Sequence, residues 1–154
     1  MPQAGRPVSA EPLTKGAGPL PDTGAERARR AFLALFVAVM AVKVLIAVRL
    51  PVFVDEAFYW LEGQRLAPAY SDLPGLTGWL TRLGVSLAGN NEFGLRLPFL
   101  LMGAAVPWLV VRVTRRAFGP AYGWQAGSLA LLLPLSGTLG LMALPDPAMA
   151  LATL

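Results

Sequence analysis

The sequence contains no cysteine and no histidine among its 154 residues. Without cysteine there is no disulfide framework and no thiolate metal site, and without histidine there is no imidazole base. Charge is also scarce, because only 14% of the residues are charged, whereas soluble domains usually carry about a quarter. With 55% hydrophobic residues, the chain is expected to lie mainly in lipid. Acid–base chemistry must then fall mainly to aspartate and glutamate.

The positive charges indicate orientation in a membrane rather than a nucleic-acid partner. The formal net charge is +4, but the arginines stand in short clusters beside apolar runs and form no separate basic domain. One cluster (Arg27, Arg29 and Arg30) closes an N-terminal segment that is rich in proline and glycine. This composition predicts a disordered cytoplasmic tail over residues 1–30.

Three apolar runs predict an all-α protein that crosses the membrane several times. They cover residues 31–48, 97–113 and 126–144. Each is about 18 residues long and would reach about 27 Å as a helix, close to the thickness of the hydrocarbon core. Residues 145–154 read as an outer turn followed by the start of a fourth helix. We therefore expect the chain to be the N-terminal part of a larger multi-pass protein.

The distribution of arginine also predicts the topology. By the positive-inside rule, the N-terminus and the loop over residues 114–125, which carries Arg115 and Arg116, should face the cytoplasm. The loop over residues 49–96 has four arginines against five acids. It has no positive excess, so we expect it outside.

The outer loop is predicted to contain two short helices that lie at the membrane surface. They cover residues 57–67 and 76–87. In the first helix, apolar side chains such as Phe58 and Leu61 should enter the headgroup region, and Glu62 should face water. A loop of this length with its own helices indicates a site at the membrane surface.

Four acidic residues on the predicted outer face are candidates for chemistry. Asp55 and Glu56 directly follow the first span. A carboxylate there could be a general base or a metal ligand facing a cavity, or a solvated marker of the helix boundary. Asp72 and Asp146 have local alternatives, which are an Asx-turn and a helix N-cap ahead of a proline.

The segment D-E-A-F-Y-W-L-E-G-Q-R-L-A-P-A-Y-S-D-L-P-G-L, residues 55–76, resembles the first outer loop of glycosyltransferases that use polyprenyl-phosphate sugars. This GT-C-type superfamily includes protein O-mannosyltransferases, lipid A aminoarabinose transferases and galacturonosyltransferase-like proteins. Further stretches resemble it in the same order, at residues 92–98, 115–119 and 144–147. The chain departs from the pattern at Leu73 and Gly75, where histidine and proline are common in the superfamily.

The resemblance implies the N-terminal part of a GT-C-type transmembrane helix bundle in the bacterial cytoplasmic membrane. Such an enzyme moves a sugar from a lipid-linked donor to a hydroxyl of a lipid, glycan or protein, with inversion. By resemblance, Asp55 is the general base. Glu56, Asp72, Arg96 and Asp146 are expected to bind substrate, with Arg96 stabilising the departing phosphate. A divalent metal could supply the same stabilisation, and the resemblance leaves this requirement open.

Other classes of protein have to be weighed against a transferase. A transporter or channel predicts acids near the middle of the membrane, whereas Asp55 and Glu56 stand at its edge. A non-catalytic assembly protein would keep its function without Asp55. The chain could also be an inactive, truncated remnant of a glycosyltransferase.

Overall fold

A computed structural model describes residues 23–70, 75–133 and 140–153. The regular elements of this part of the chain are all helices, which confirms the prediction of an all-α chain. In order they are α1 (Thr23–Arg49), α2 (Val54–Gln64), α3 (Leu76–Ala88), α4 (Glu92–Phe118), α5 (Pro120–Leu132) and α6 (Asp146–Thr153).

Two helices are long and apolar enough, by length and composition, to cross a membrane. They cover Gly24–Arg49 in α1 and Glu92–Phe118 in α4. Helix α1 begins before the predicted span, so residues 23–30 are helical and do not belong to a disordered tail. An ion pair across one turn, between Arg30 Nε and Glu26 Oε1 at 3.1 Å, supports this first part of the helix. Residues 1–22 lie outside the described part of the chain.

Helix α4 is also longer than the predicted span over residues 97–113. It begins after Asn91, whose side-chain oxygen accepts a hydrogen bond from the Gly94 N–H at 2.8 Å. It ends at Gly119, where a φ of +98° favours glycine. Both ends therefore follow ordinary capping chemistry that a hydropathy window does not detect.

The predicted third span over residues 126–144 does not match the described helix. Helix α5 begins at Pro120 and ends at Leu132, and residues 140–145 form turns and bends. Leu133 is extended, with φ −63° and ψ 134°, as expected for a residue that precedes a proline. Residues 134–139 lie outside the described part, so a membrane crossing by this segment stays a prediction.

Helices α1, α4 and α5 pack together around an aromatic cluster. Its buried members are Phe32, Val111, Trp124 and Leu131. Gly127 makes the close approach possible, because a Cβ there would lie 2.3 Å from Val111 Cγ2 and 2.8 Å from Phe32 Cε2. Small residues commonly allow such contact between helices in membranes.

Helix α2 packs on α3, and α3 packs on the beginning of α4. Gly63 and Gly78 face each other, and a Cβ at position 63 would lie 2.8 Å from the Gly78 carbonyl oxygen. The Thr81 hydroxyl donates a hydrogen bond of 3.1 Å to the Tyr59 carbonyl oxygen. This close contact covers Glu62, which is only 8% exposed. The expectation that Glu62 faces water was therefore wrong.

Candidate active site

The pair Asp55–Glu56 occupies the first turn of α2, directly after the chain leaves α1. Neighbouring residues on a helix point about 100° apart. The two carboxylates consequently face different surroundings, since Glu56 is fully buried and Asp55 is exposed. The structure gives the two acids separate positions, although they are adjacent in sequence.

Glu56 forms a buried, two-pronged ion pair with Arg96 of α4. Arg96 Nε donates to Glu56 Oε1 at 2.8 Å, and Arg96 Nη2 donates to Glu56 Oε2 at 2.5 Å. Both residues are 0% exposed. Parallel hydrogen bonds of this kind fix the orientation of both planar groups.

The remaining N–H groups of Arg96 donate hydrogen bonds to carbonyl groups at and just beyond the end of α1. Its guanidinium donates to the carbonyl oxygens of Ala47, Leu50 and Pro51 at 2.9, 2.8 and 3.0 Å. Carbonyls at the end of a helix lack partners inside the helix, so the arginine satisfies groups that would otherwise be buried unpaired. With the two bonds to Glu56, each of its N–H groups has an internal acceptor.

Glu56 accepts two backbone hydrogen bonds in addition to those from Arg96. The Phe53 N–H donates to Oε2 at 3.1 Å, and the Ala143 N–H, just ahead of α6, donates to Oε1 at 2.9 Å. Burial alone would raise the pKa of Glu56, but the hydrogen bonds from Arg96, Ala143 and Phe53 outweigh it and lower the pKa. Glu56 therefore stays ionised and joins α2, α4 and the segment before α6.

Asp55 has no hydrogen bond or ion pair within the described part of the chain, and its side chain is exposed. Its carboxylate oxygens are therefore open to a ligand. The backbone beneath it is fixed, because the neighbouring Glu56 is held by four hydrogen bonds. An accessible carboxylate on a fixed backbone can accept a proton from an incoming hydroxyl.

Three acids other than Glu56 lie close enough to the Tyr59 phenol to affect its pKa. Burial raises the pKa of Tyr59, and the negative charges of Asp55, Glu62 and Asp146 raise it further. Asp146 is exposed in the first turn of α6. Asp55 and Asp146, which are far apart in sequence, thus both lie close enough to Tyr59 to affect its pKa.

The structure unites two of the predicted substrate-binding residues, Glu56 and Arg96, but it pairs them with each other. Asp72 lies outside the described residues. Sequence reasoning missed Tyr59, although its spacing of four residues from Asp55 and three from Glu62 places all three on one side of a helix. It also missed the Ala143 N–H, for which the sequence carries no local signal.

The acids of the described part do not form a ligand set for a divalent metal. No group of three or more acidic side chains there is placed to hold a metal ion. The oxygens of Glu56 already accept four hydrogen bonds, which leaves no lone pair for coordination.

Comparison with known proteins identifies the family. The sequence matches the dolichyl-phosphate-mannose-protein mannosyltransferase family over residues 72–154, more than half of its length. The chain belongs to this family. Arg96 and Asp146 lie within the matched segment of the mannosyltransferase family, whereas Asp55 and Glu56 precede it. No curated protein and no solved structure matches the chain.

Membership of the dolichyl-phosphate-mannose-protein mannosyltransferase family confirms the resemblance noted in the sequence. It indicates glycosyltransferase chemistry of the GT-C type with a lipid-linked sugar as donor. A membrane location is supported by the family together with the apolar helices α1 and α4.

Proposed function

We propose that this chain carries the catalytic loop of a glycosyltransferase, with Asp55 as the general base. The enzyme would move a sugar from a polyprenyl phosphate to a hydroxyl of a lipid, glycan or protein. The proposal rests on the different surroundings of the two adjacent acids. Glu56 is committed to four internal hydrogen bonds, whereas Asp55 is exposed and has no described partner.

The proposed reaction is a single displacement. The acceptor hydroxyl gives its proton to the Asp55 carboxylate as its oxygen attacks the anomeric carbon. The bond between that carbon and the phosphate oxygen breaks, and the polyprenyl phosphate leaves with the bonding electrons. Attack opposite the leaving group inverts the configuration of the sugar.

Glu56 and Arg96 serve as positioning residues in this proposal. Their hydrogen bonds fix the start of α2 against the end of α1 and the first turns of α4. Asp55 is then held where a water-borne acceptor meets a membrane-borne donor. Since the N–H groups of Arg96 are engaged internally, we assign the stabilisation of the leaving phosphate to cationic groups other than Arg96.

Asp146 completes the proposed acceptor side. It is exposed in the first turn of α6, whereas Tyr59 is only 7% exposed. The Asp146 carboxylate can accept hydrogen bonds from a polyhydroxylated ligand. This region would face the outside of the bacterial cytoplasmic membrane, with the N-terminus in the cytoplasm.

The proposal is tested by sugar transfer in membranes that contain the full protein. Wild type and Asp55→Asn are compared with a polyprenyl-phosphate sugar as donor, after expression levels have been matched. Asparagine keeps the shape and removes the base, so a loss of about a hundredfold or more is expected. Glu92→Gln is the matched control, because it removes another exposed carboxylate of the same loop. Unchanged transfer by Asp55→Asn would favour a boundary role for Asp55, and no transfer by wild type would favour a non-catalytic protein.

A further inference from the structure

We propose that a groove between α4 and α5 binds the phosphate headgroup of an anionic phospholipid. The groove has a volume of about 860 Å³ and is open on one side. The residues that line it include Trp108, Arg112, Arg115, Arg116 and Trp124. We call it the arginine–tryptophan groove.

The groove lies at the end of α4 away from the acidic pair. Arg115 follows Arg96 by nineteen residues on the same helix, which corresponds to about 28 Å along its axis. This is close to the roughly 30 Å thickness of a hydrocarbon core. If Arg96 marks one boundary of the membrane, the groove therefore lies at the depth of the phosphates of the opposite leaflet.

Arg115 packs against two residues of α5, Trp124 and Gly123. Its guanidinium carbon lies 5.1 Å from the centre of the Trp124 ring, which is a cation–π distance. Its stem packs on Gly123, where a Cβ would lie only 2.0 Å from Arg115 Cγ. The glycine thus provides the space that lets the arginine lie against the tryptophan.

The arginines of the groove have no acidic partner among the described residues. Arg29 and Arg30, on α1, are paired with Glu26, but no carboxylate within the described part pairs with Arg112, Arg115 or Arg116. Several guanidinium groups at one site attract an anion, and their geometry suits phosphate oxygens.

The shape of the groove favours a lipid over a free phosphate ion. Its wall continues from the arginines to Ala105, Trp108 and Leu109, which lie further along α4 towards its middle. A phosphate ion would contact only the charged end, whereas a phospholipid would also place an acyl chain along the apolar wall. Basic sites between helices at this depth are typical contacts for anionic lipids.

The test is lipid retention by the full chain, measured by native mass spectrometry from mixed micelles with phosphatidylglycerol or phosphatidylcholine. Wild type should retain phosphatidylglycerol in preference to phosphatidylcholine. The variant Arg112→Gln/Arg115→Gln should lose this preference, by about fivefold for each arginine removed. The matched control is Arg27→Gln/Arg29→Gln, which removes the same charge from α1 and should keep the preference.

A second variant tests the groove without removing any charge. Gly123→Ala keeps every charge but displaces the stem of Arg115, so it should weaken phosphatidylglycerol retention while helicity by circular dichroism stays the same. Equal retention of the two lipids by wild type would overturn the proposal. So would equal losses in the groove and control variants, which would indicate diffuse charge attraction. Release of phosphatidylglycerol by millimolar inorganic phosphate would assign the groove to a soluble anion instead.

Discussion

At the scale of single residues, the adjacent acids Asp55 and Glu56 differ because one is inside the fold and the other is outside it. Glu56 points inward and meets Arg96, whose guanidinium also closes the end of α1. Moving both charges out of water is costly, and the internal hydrogen bonds offset this cost only while both partners are present. The exposed Asp55 carboxylate needs no internal partner and is available for chemistry.

Replacement of either partner of the buried pair should destabilise the protein strongly. Glu56→Gln leaves the Arg96 charge buried without a counter-ion, which usually costs about 3–5 kcal/mol of unfolding free energy. Arg96→Met should cost at least as much, because the carbonyls of Ala47, Leu50 and Pro51 also lose their donor. Denaturant unfolding of the purified protein in micelles would measure both losses.

The double variant provides the control for this prediction. If Glu56 and Arg96 interact directly, the combined loss should be smaller than the sum of the single losses. Strictly additive losses would contradict a direct pair. Asp55→Asn should leave the unfolding midpoint unchanged, since its side chain has no described partner.

The stability contributed by Glu56 should depend on pH in a defined direction. The pKa of Glu56 is lowered in the folded chain from an ordinary value of 4.5. Its ionised form therefore stabilises the fold above pH 4.5, and this stabilisation decreases as the pH falls towards the pKa of the folded state. Unfolding midpoints of wild type and Glu56→Gln, measured from pH 7 to pH 3, should converge below pH 4.5. A constant difference over the whole range would show that ionisation of Glu56 does not stabilise the fold.

At the scale of helices, the sequence predicted which segments are helical better than it predicted where each helix begins and ends. Apolar runs located α1 and α4, and the amphipathic pattern located α2 and α3, the latter with its start at Leu76. The ends were less predictable, because the Asn91 cap and the turn at Gly119 lie outside any apolar window. Helix α5 differed most, since an apolar run continues past Leu132 while the residue before Pro134 cannot easily stay helical.

Contacts between helices could not be read from the sequence. Arg96 lies 40 residues from Glu56, and the Ala143 N–H lies 87 residues from it. Periodicity describes which face of one helix is apolar, but it does not describe which helix covers that face. The pairing of Arg96 with Glu56, rather than with a phosphate, therefore became visible only in the fold.

The packing of α5 depends on Gly127 and gives a prediction at this scale. Gly127→Ala would force a methyl group against Val111 and Phe32, and overpacking of this kind costs about 1–3 kcal/mol. Gln125→Ala is the matched control, because Gln125 is exposed on the same helix. Thermal unfolding in micelles should show a lower midpoint for Gly127→Ala alone. Equal midpoints would show that α5 does not pack closely on α1 and α4.

At the scale of the whole molecule, α4 has the acidic pair near its first turns and, at its other end, arginines that have no acidic partner within the described residues. The 154-residue sequence has no cysteine, so single cysteines introduced into it report the orientation without background. Val54 is 86% exposed beside the acidic pair, and Phe118 is 71% exposed at the far end of α4. In intact cells a membrane-impermeant maleimide should label Val54→Cys, and it should label Phe118→Cys only after permeabilisation. The reverse pattern would place the acidic pair in the cytoplasm.

The most direct test of the division between Asp55 and Glu56 measures transfer rate and unfolding midpoint on the same preparations of Asp55→Asn and Glu56→Gln. We predict that Asp55→Asn keeps the wild-type midpoint and loses transfer by about a hundredfold or more. Glu56→Gln should lower the midpoint while each folded molecule keeps a larger share of its activity. A stable, fully active Asp55→Asn protein would contradict the assignment of Asp55 as the base.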